Sequence, residues 1–177
     1  MNTLTSTIPT IPMTPMSTVL PTDLLTDLPA PRPPHTTHVW SAVVDIAPAE
    51  ALGMGPRGER WIVPILGGVF SGEPGFESFS GTVRAGGADR QTLRPDGVKE
   101  LDALYEMQTR DGAVITVHNQ VIIDPRVQPE RYALSVIRLT APQGPHDWMN
   151  RRVFVGTLQP LRPQREAVLI RGYLLQN

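Results

Sequence analysis

The stretch KELDALYEMQTRDGAVITVHNQVII, residues 99–123, restricts the fold more than any other part of the chain. Leu101, Ala103, Tyr105 and Met107 occupy alternate positions, and in an extended strand alternate side chains share a face. A β-branched run, VITVHNQVII, follows. Asp111-Gly112 lies between the two, and Asp-Gly flanked by such segments is a strong signal for a tight hairpin. The composition of KELDALYEMQT also suits a helix. The turn directly after it decides the reading, and both flanks are taken as antiparallel strands.

The rest of the body repeats this style. HVWSAVVDIA is rich in residues that favour a pleated, half-buried surface. RWIVPILGGVF is a second extended segment, in which Pro64 implies an edge, a bulge or a bend. FESFSGTVRAG is a third, and RYALSVIRLTA, RRVFVGTLQPL and EAVLIRGYLLQ are further strands. APAEALGMGPRGE reads as a loop. Short strands joined by turns, with no long amphipathic helix, predict an all-β sandwich or barrel. GGADRQTLRPDG, residues 86–97, reads mostly as a corner. Gly86-Gly87 permits a sharp bend, and Arg94-Pro95-Asp96-Gly97 has the residues of a tight turn. Asp89 and Gln91 fall between the two bends.

Composition narrows the function classes. Net charge is −1, so no global basic field is available for nucleic acid. The absence of cysteine removes disulfides, thiol nucleophiles and thiolate metal sites. No apolar run reaches the ~18 residues of a membrane span. The opening residues lack the basic start and unbroken apolar stretch of a secretory signal, which favours a cytoplasmic protein. Residues 1–37 are rich in Thr and Pro and predict a tail, with residues 38–177 as the folded body. Within the tail, PTDLLTDL offers one helical turn capped by Thr22 or Asp23. Leu20, Leu24, Leu25 and Leu28 are anchors if the tail packs on a neighbouring subunit. Lys99 is the only lysine, which reads as genomic composition.

Taken in order, GERWIVPILGGVFSG, GGADRQTLRPDG, LDALYEMQTRDGAVITVHN and WMNRRVFVG resemble the domain-of-unknown-function 3237 family, also known as uncharacterised protein family 0311. The resemblance covers residues 38–177. It implies a single antiparallel β-barrel of about eight strands, similar in outline to allene oxide cyclases, dirigent proteins or lipocalins. It supplies no reaction. Two departures stand out: Arg90 replaces an aromatic frequent in the family, and the stretch after Asn119 is short.

A barrel of this size holds one small ligand, in a mostly apolar pocket with a few orienting polar groups. Asp89 is the candidate general base, and His118 is an alternative with a side-chain pKa near neutrality. Tyr105 and Arg60 are candidates to polarise a carbonyl or stabilise an oxyanion. Gln91, Asn119, Trp148, Asn150 and Phe70 are the candidate ligand-binding residues. His118 and Asn119 are consecutive on one strand, so at most one of them faces the lumen. His35 and His38 form H-x-x-H without an arranged acidic partner, and no metal or cofactor is expected. Ser71, Ser78 and Ser80 lack a G-x-S-x-G context, and no nucleotide-binding glycine pattern occurs. The function expected is a cofactor-independent isomerase, cyclase or lyase acting on a small, largely apolar carbonyl or aromatic metabolite. The alternative is a non-catalytic binding or carrier barrel. Neither nucleic acid nor membrane is an expected partner, and a homo-oligomer, most simply a dimer, is expected.

Overall fold

The computed structural model describes residues 28, 29 and 32–177. The chain divides into two units, Met1–Arg32 and Pro33–Asn177, and the second holds every described strand. The reading of Leu20, Thr22, Asp23, Leu24 and Leu25 lies outside the described residues.

The hairpin around Asp111-Gly112 forms as the alternation predicts. β6 (Lys99–Thr109) pairs antiparallel with β7 (Val114–Asp124), Leu101 opposite Val121 and Tyr105 opposite Val117. Gly112 supplies the positive φ that the turn needs. Leu101, Ala103, Tyr105 and Met107 all point inward and are buried. β7 continues to β8 (Tyr132–Thr140), β9 (Phe154–Pro160), β10 (Ala167–Gln176) and β1 (His35–Ile46). β1 begins three residues before the expected start of the body.

Closure depends on β3 (Gly58–Gly72), which exchanges partners along its length. On one side it pairs first with β2 (Glu50–Gly55) and then with β1. On the other it pairs first with β5 (Ala88–Leu93) and then with β4 (Gly81–Val83). The exchange falls at Pro64–Gly68, where the register with β1 slips between Asp45 and Ile46. Proline lacks a ladder donor, so a strand tolerates it where pairing is interrupted. At Gly68 (φ +142°) a Cβ would stand 2.1 Å from the Val43 carbonyl oxygen, so only glycine lets β1 and β3 approach this closely. β4 and β5 then pair with β6 and close the barrel. The result is an all-β, closed antiparallel barrel of eight strands with two extra strands.

Two local expectations are corrected. APAEALGMGPRGE, read as a loop, contains β2, whose residues are almost all exposed and so carry no alternating pattern. FESFSGTVRAG contributes only the three residues of β4, and the strand lies instead in the supposed corner, as β5. The RPDG turn is present: the Gly97 N–H donates to the Arg94 carbonyl at 3.0 Å, and the Val98 N–H to Asp96 Oδ1 at 3.1 Å.

One half of the bore is solid. Trp40, Phe79, Phe154, Met107 and Ile115 are almost wholly buried there, with Trp40 edge-on to Phe79 and Phe154, 5.5 Å between ring centroids in each pair. A 3-10 helix (Asp147–Arg151) adds Met149 to this core. Among the described residues no helix is long and apolar enough to cross a membrane.

Candidate active site

The other half of the bore is hollow. A cavity of ≈ 180 Å³ lies among β1, β3, β5, β6, β7, β9 and β10, walled largely by aliphatic side chains such as Val44, Val63, Leu101, Val121, Leu158 and Ile170. Its polar lining is Asp89, Gln91, Lys99, Tyr105, Asn119 and Arg131. An apolar cavity of ~150 Å³ is large enough to take up benzene. This space therefore suits one ring with a small substituent.

Strand register explains the placement. Val63, Asp89, Ala103, Asn119 and Ile137 form one inward-facing row across five strands. Alanine in the middle leaves a gap, with Asp89 on one side and Asn119 on the other. Trp61, Gln91, Leu101 and Val121 form the row nearer the mouth. Tyr105 lies one row deeper, diagonal to Asp89. Gly87 sets the depth of β5: a Cβ there would stand 2.5 Å from Tyr105 Cβ and 2.7 Å from the Leu104 carbonyl oxygen. Only a bare backbone brings β5 so close to β6.

Asp89 is fixed at both oxygens. Gln91 Nε2 donates to Oδ2 at 2.6 Å, and the Asp102 backbone N–H donates to Oδ1 at 3.1 Å. Burial pushes the carboxyl above its ordinary pKa, against the opposing pull of these two donors and of Lys99. Burial, with the nearby Asp89 charge, also raises the Tyr105 hydroxyl, which stays protonated. Asn119 is 1% exposed, and its Oδ1 has no hydrogen-bond partner among the described residues. A buried acceptor without a partner costs ~1–3 kcal/mol, which a ligand donor would offset.

Asp89, Gln91, Tyr105 and Asn119 are thus brought together, with Gln91 holding the acid. The other candidates are not at the cavity. Arg60 alternates with the inward Trp61, so it points outward, where Nη2 donates to the Leu52 carbonyl at 3.3 Å. His118 is outward because Val117 and Asn119 are inward, and its Nε2 lies 2.6 Å from Asp102 Oδ1 on the exposed face. Phe70 is inward but beyond the partner exchange, packed on Phe79 at 4.9 Å in the solid half. Trp148 packs on Phe76 and Phe154. Asn150 closes a two-way bond with the Ala141 backbone at 2.8 and 2.9 Å and ties the 3-10 helix to the end of β8. Lys99 and Arg131 line the cavity beyond the residues expected from the sequence. Lys99 shares the parity of Leu101 and Tyr105, which was the available signal.

The family of proteins of unknown function DUF3237 matches residues 34–175. The chain belongs to the DUF3237 family. A UPF0311 protein of Rhodopseudomonas palustris is 32% identical over 139 residues, spanning 70% of this chain and 86% of its own. The crystal structure of a conserved protein of unknown function from Rhodopseudomonas palustris covers 82% of this chain and 100% of its own, with a TM-score of 0.73 and 29% identity. A β-barrel-like protein of Acinetobacter baumannii covers 82% of this chain and 98% of its own, with a TM-score of 0.70 and 26% identity. A Penicillium herquei structure described as an enzyme shares the DUF3237 fold at a TM-score of 0.65 and 24% identity, covering 84% of this chain and 98% of its own.

Proposed function

We propose that the barrel is a cofactor-independent acid–base enzyme, an isomerase, cyclase or lyase, acting on a small, largely apolar carbonyl or aromatic metabolite in the hollow half of the bore. The observation that carries this reading is the Asp89–Gln91 pair: a carboxylate held by two donors against an apolar cavity, opposite the unpartnered oxygen of Asn119. Two fixed hydrogen bonds supply the restraint that a proton-transfer group needs. A raised pKa makes the ionised carboxylate a stronger base.

In the step envisaged, Asp89 takes a proton from the carbon next to a substrate carbonyl. The C–H electron pair moves to the carbonyl oxygen, and the Tyr105 hydroxyl donates to the resulting oxyanion. Return of the proton to another carbon gives an isomer. Collapse of the enolate expels a β-substituent, which leaves with the C–X electron pair and takes the proton back from Asp89; attack of the enolate on a second carbonyl carbon of the same molecule closes a ring, the C=O electron pair moving to oxygen, which takes that proton. No electron acceptor is required.

Cyclohexanone in heavy water tests this without knowledge of the natural substrate. The protein is expected to speed exchange of the α-hydrogens, read by proton NMR, and Asp89→Asn to slow it about tenfold or more, which is ~1.4 kcal/mol. Binding without exchange in the parent protein would replace the enzyme with a carrier barrel. Exchange untouched by Asp89→Asn would remove Asp89 from its role.

A further inference from the structure

Among the described residues, two cations and one carboxylate line the hollow half of the bore. Lys99 opens β6, and Arg131 immediately precedes β8. Lys99 sits opposite Ile123, and Ile123 opposite Ala133, so Lys99 and Arg131 stand at the same end of the barrel. That end is the cavity mouth.

Among the described residues neither is locked in an ion pair, and Asp89 is the one lining carboxylate that favours the charged Lys99. The ion pairs of the described residues involve neither Lys99 nor Arg131. Lys99 Nζ lies over the Trp61 ring at 5.6 Å, which fixes its direction without cancelling its charge. Of the carboxylates next to it in sequence, Glu100 points to Arg94 and Arg57, and Asp102 to His118, which leaves Asp89 across the cavity as its acidic neighbour. Burial lowers the Lys99 pKa, and Arg131 adds to the lowering, while Asp89 opposes it. A bound anion would relieve this.

We infer that the ligand is an organic anion, a small apolar ring bearing a carboxylate, whose charged end is held at the mouth by Lys99 and Arg131 while the ring fills the cavity. This rests on the bore being the ligand site. It adds what the acid–base reading leaves open, namely the charge of the substrate and the direction in which it enters. A carboxylate at the mouth would place the ring at the depth of Ala103, with Asp89 and Asn119 to either side.

The full chain is titrated with benzoate and with benzamide, a neutral molecule of nearly the same shape, at about pH 7, where benzoate is ionised. Amide chemical shifts report both site and affinity. The expected result is a preference for benzoate of about tenfold, equal to ~1.4 kcal/mol, with shifts confined to cavity residues. Arg131→Gln, at an exposed position, and Lys99→Met are each expected to reduce the preference several-fold, and the double variant to abolish it. Asp89→Asn is expected to raise it, because the variant removes the negative charge that shares the cavity with Lys99. Equal affinities, a preference that survives the double variant, or shifts on the outer wall would overturn the inference. If Asp89-dependent exchange persisted in that case, the anion anchor alone would fall. Binding of neither molecule at about 10 mM, weaker than roughly 3 kcal/mol, would remove the bore as ligand site and this inference with it.

Discussion

Asp89 is held where its charge is costly. Because burial raises its pKa in the folded state, the linked stability is fully present below the ordinary carboxylate pKa of ~3.9 and is lost as pH rises through the folded value. Asp89→Asn removes that loss. Gln91 can turn its amide to accept from the new Asn Nδ2, and the Asn oxygen can keep the Asp102 N–H. We therefore expect Asp89→Asn to melt above the parent at pH 8, with the two melting curves converging as pH falls below the carboxylate range. A variant that melts lower at every pH would show that Asp89 is chiefly structural. Tyr105 was legible because it shares the parity of an alternating strand. Asp89 was legible as a candidate, but its partner was not, since Gln91 is two residues away in sequence and only an extended backbone brings the two side chains to one face. His118 lies outside the lumen because the parity of Val117 and Val121 assigns Asn119 to it.

Among the elements, those that the sequence disclosed are the ones packed on an apolar core, and those it hid are the ones that are not. β6 and β7 alternate because Met107, Ile115 and Val117 must be inside. β2 has no inside, and β5 faces a cavity with polar residues, so neither carries an apolar period. β5 depends on Gly87 instead. We expect Gly87→Ala to destabilise the protein by ~1–3 kcal/mol, the usual cost of overpacking, because the new Cβ meets the backbone and Cβ of β6 and not the tip of a flexible side chain. Equilibrium urea unfolding measures this. A loss under ~0.5 kcal/mol, the range of an ordinary surface change, would mean that β5 can draw back from β6 without cost.

For the molecule as a whole, every described strand lies within Pro33–Asn177. A chain shortened to Pro33–Asn177 is expected to retain a single cooperative transition in circular dichroism, at the melting temperature of the full chain, and an expanded or insoluble product would contradict this. A homodimer also remains our expectation, and the exposed Ile122, Leu134 and Val136 on the outer faces of β7 and β8 give it a surface to form on. Sedimentation at micromolar concentration should give twice the mass of one chain, and a lone monomer would refute it. The half-filled bore bears on how such a barrel changes over generations. Its floor of Trp40, Phe79, Phe154 and Met107 stays packed whatever fills the cavity, so the room above is where inward residues are expected to be recut one at a time. Because the polar lining sits mostly on strands and not on loops, each exchange alters the contents of the vessel without altering its rim.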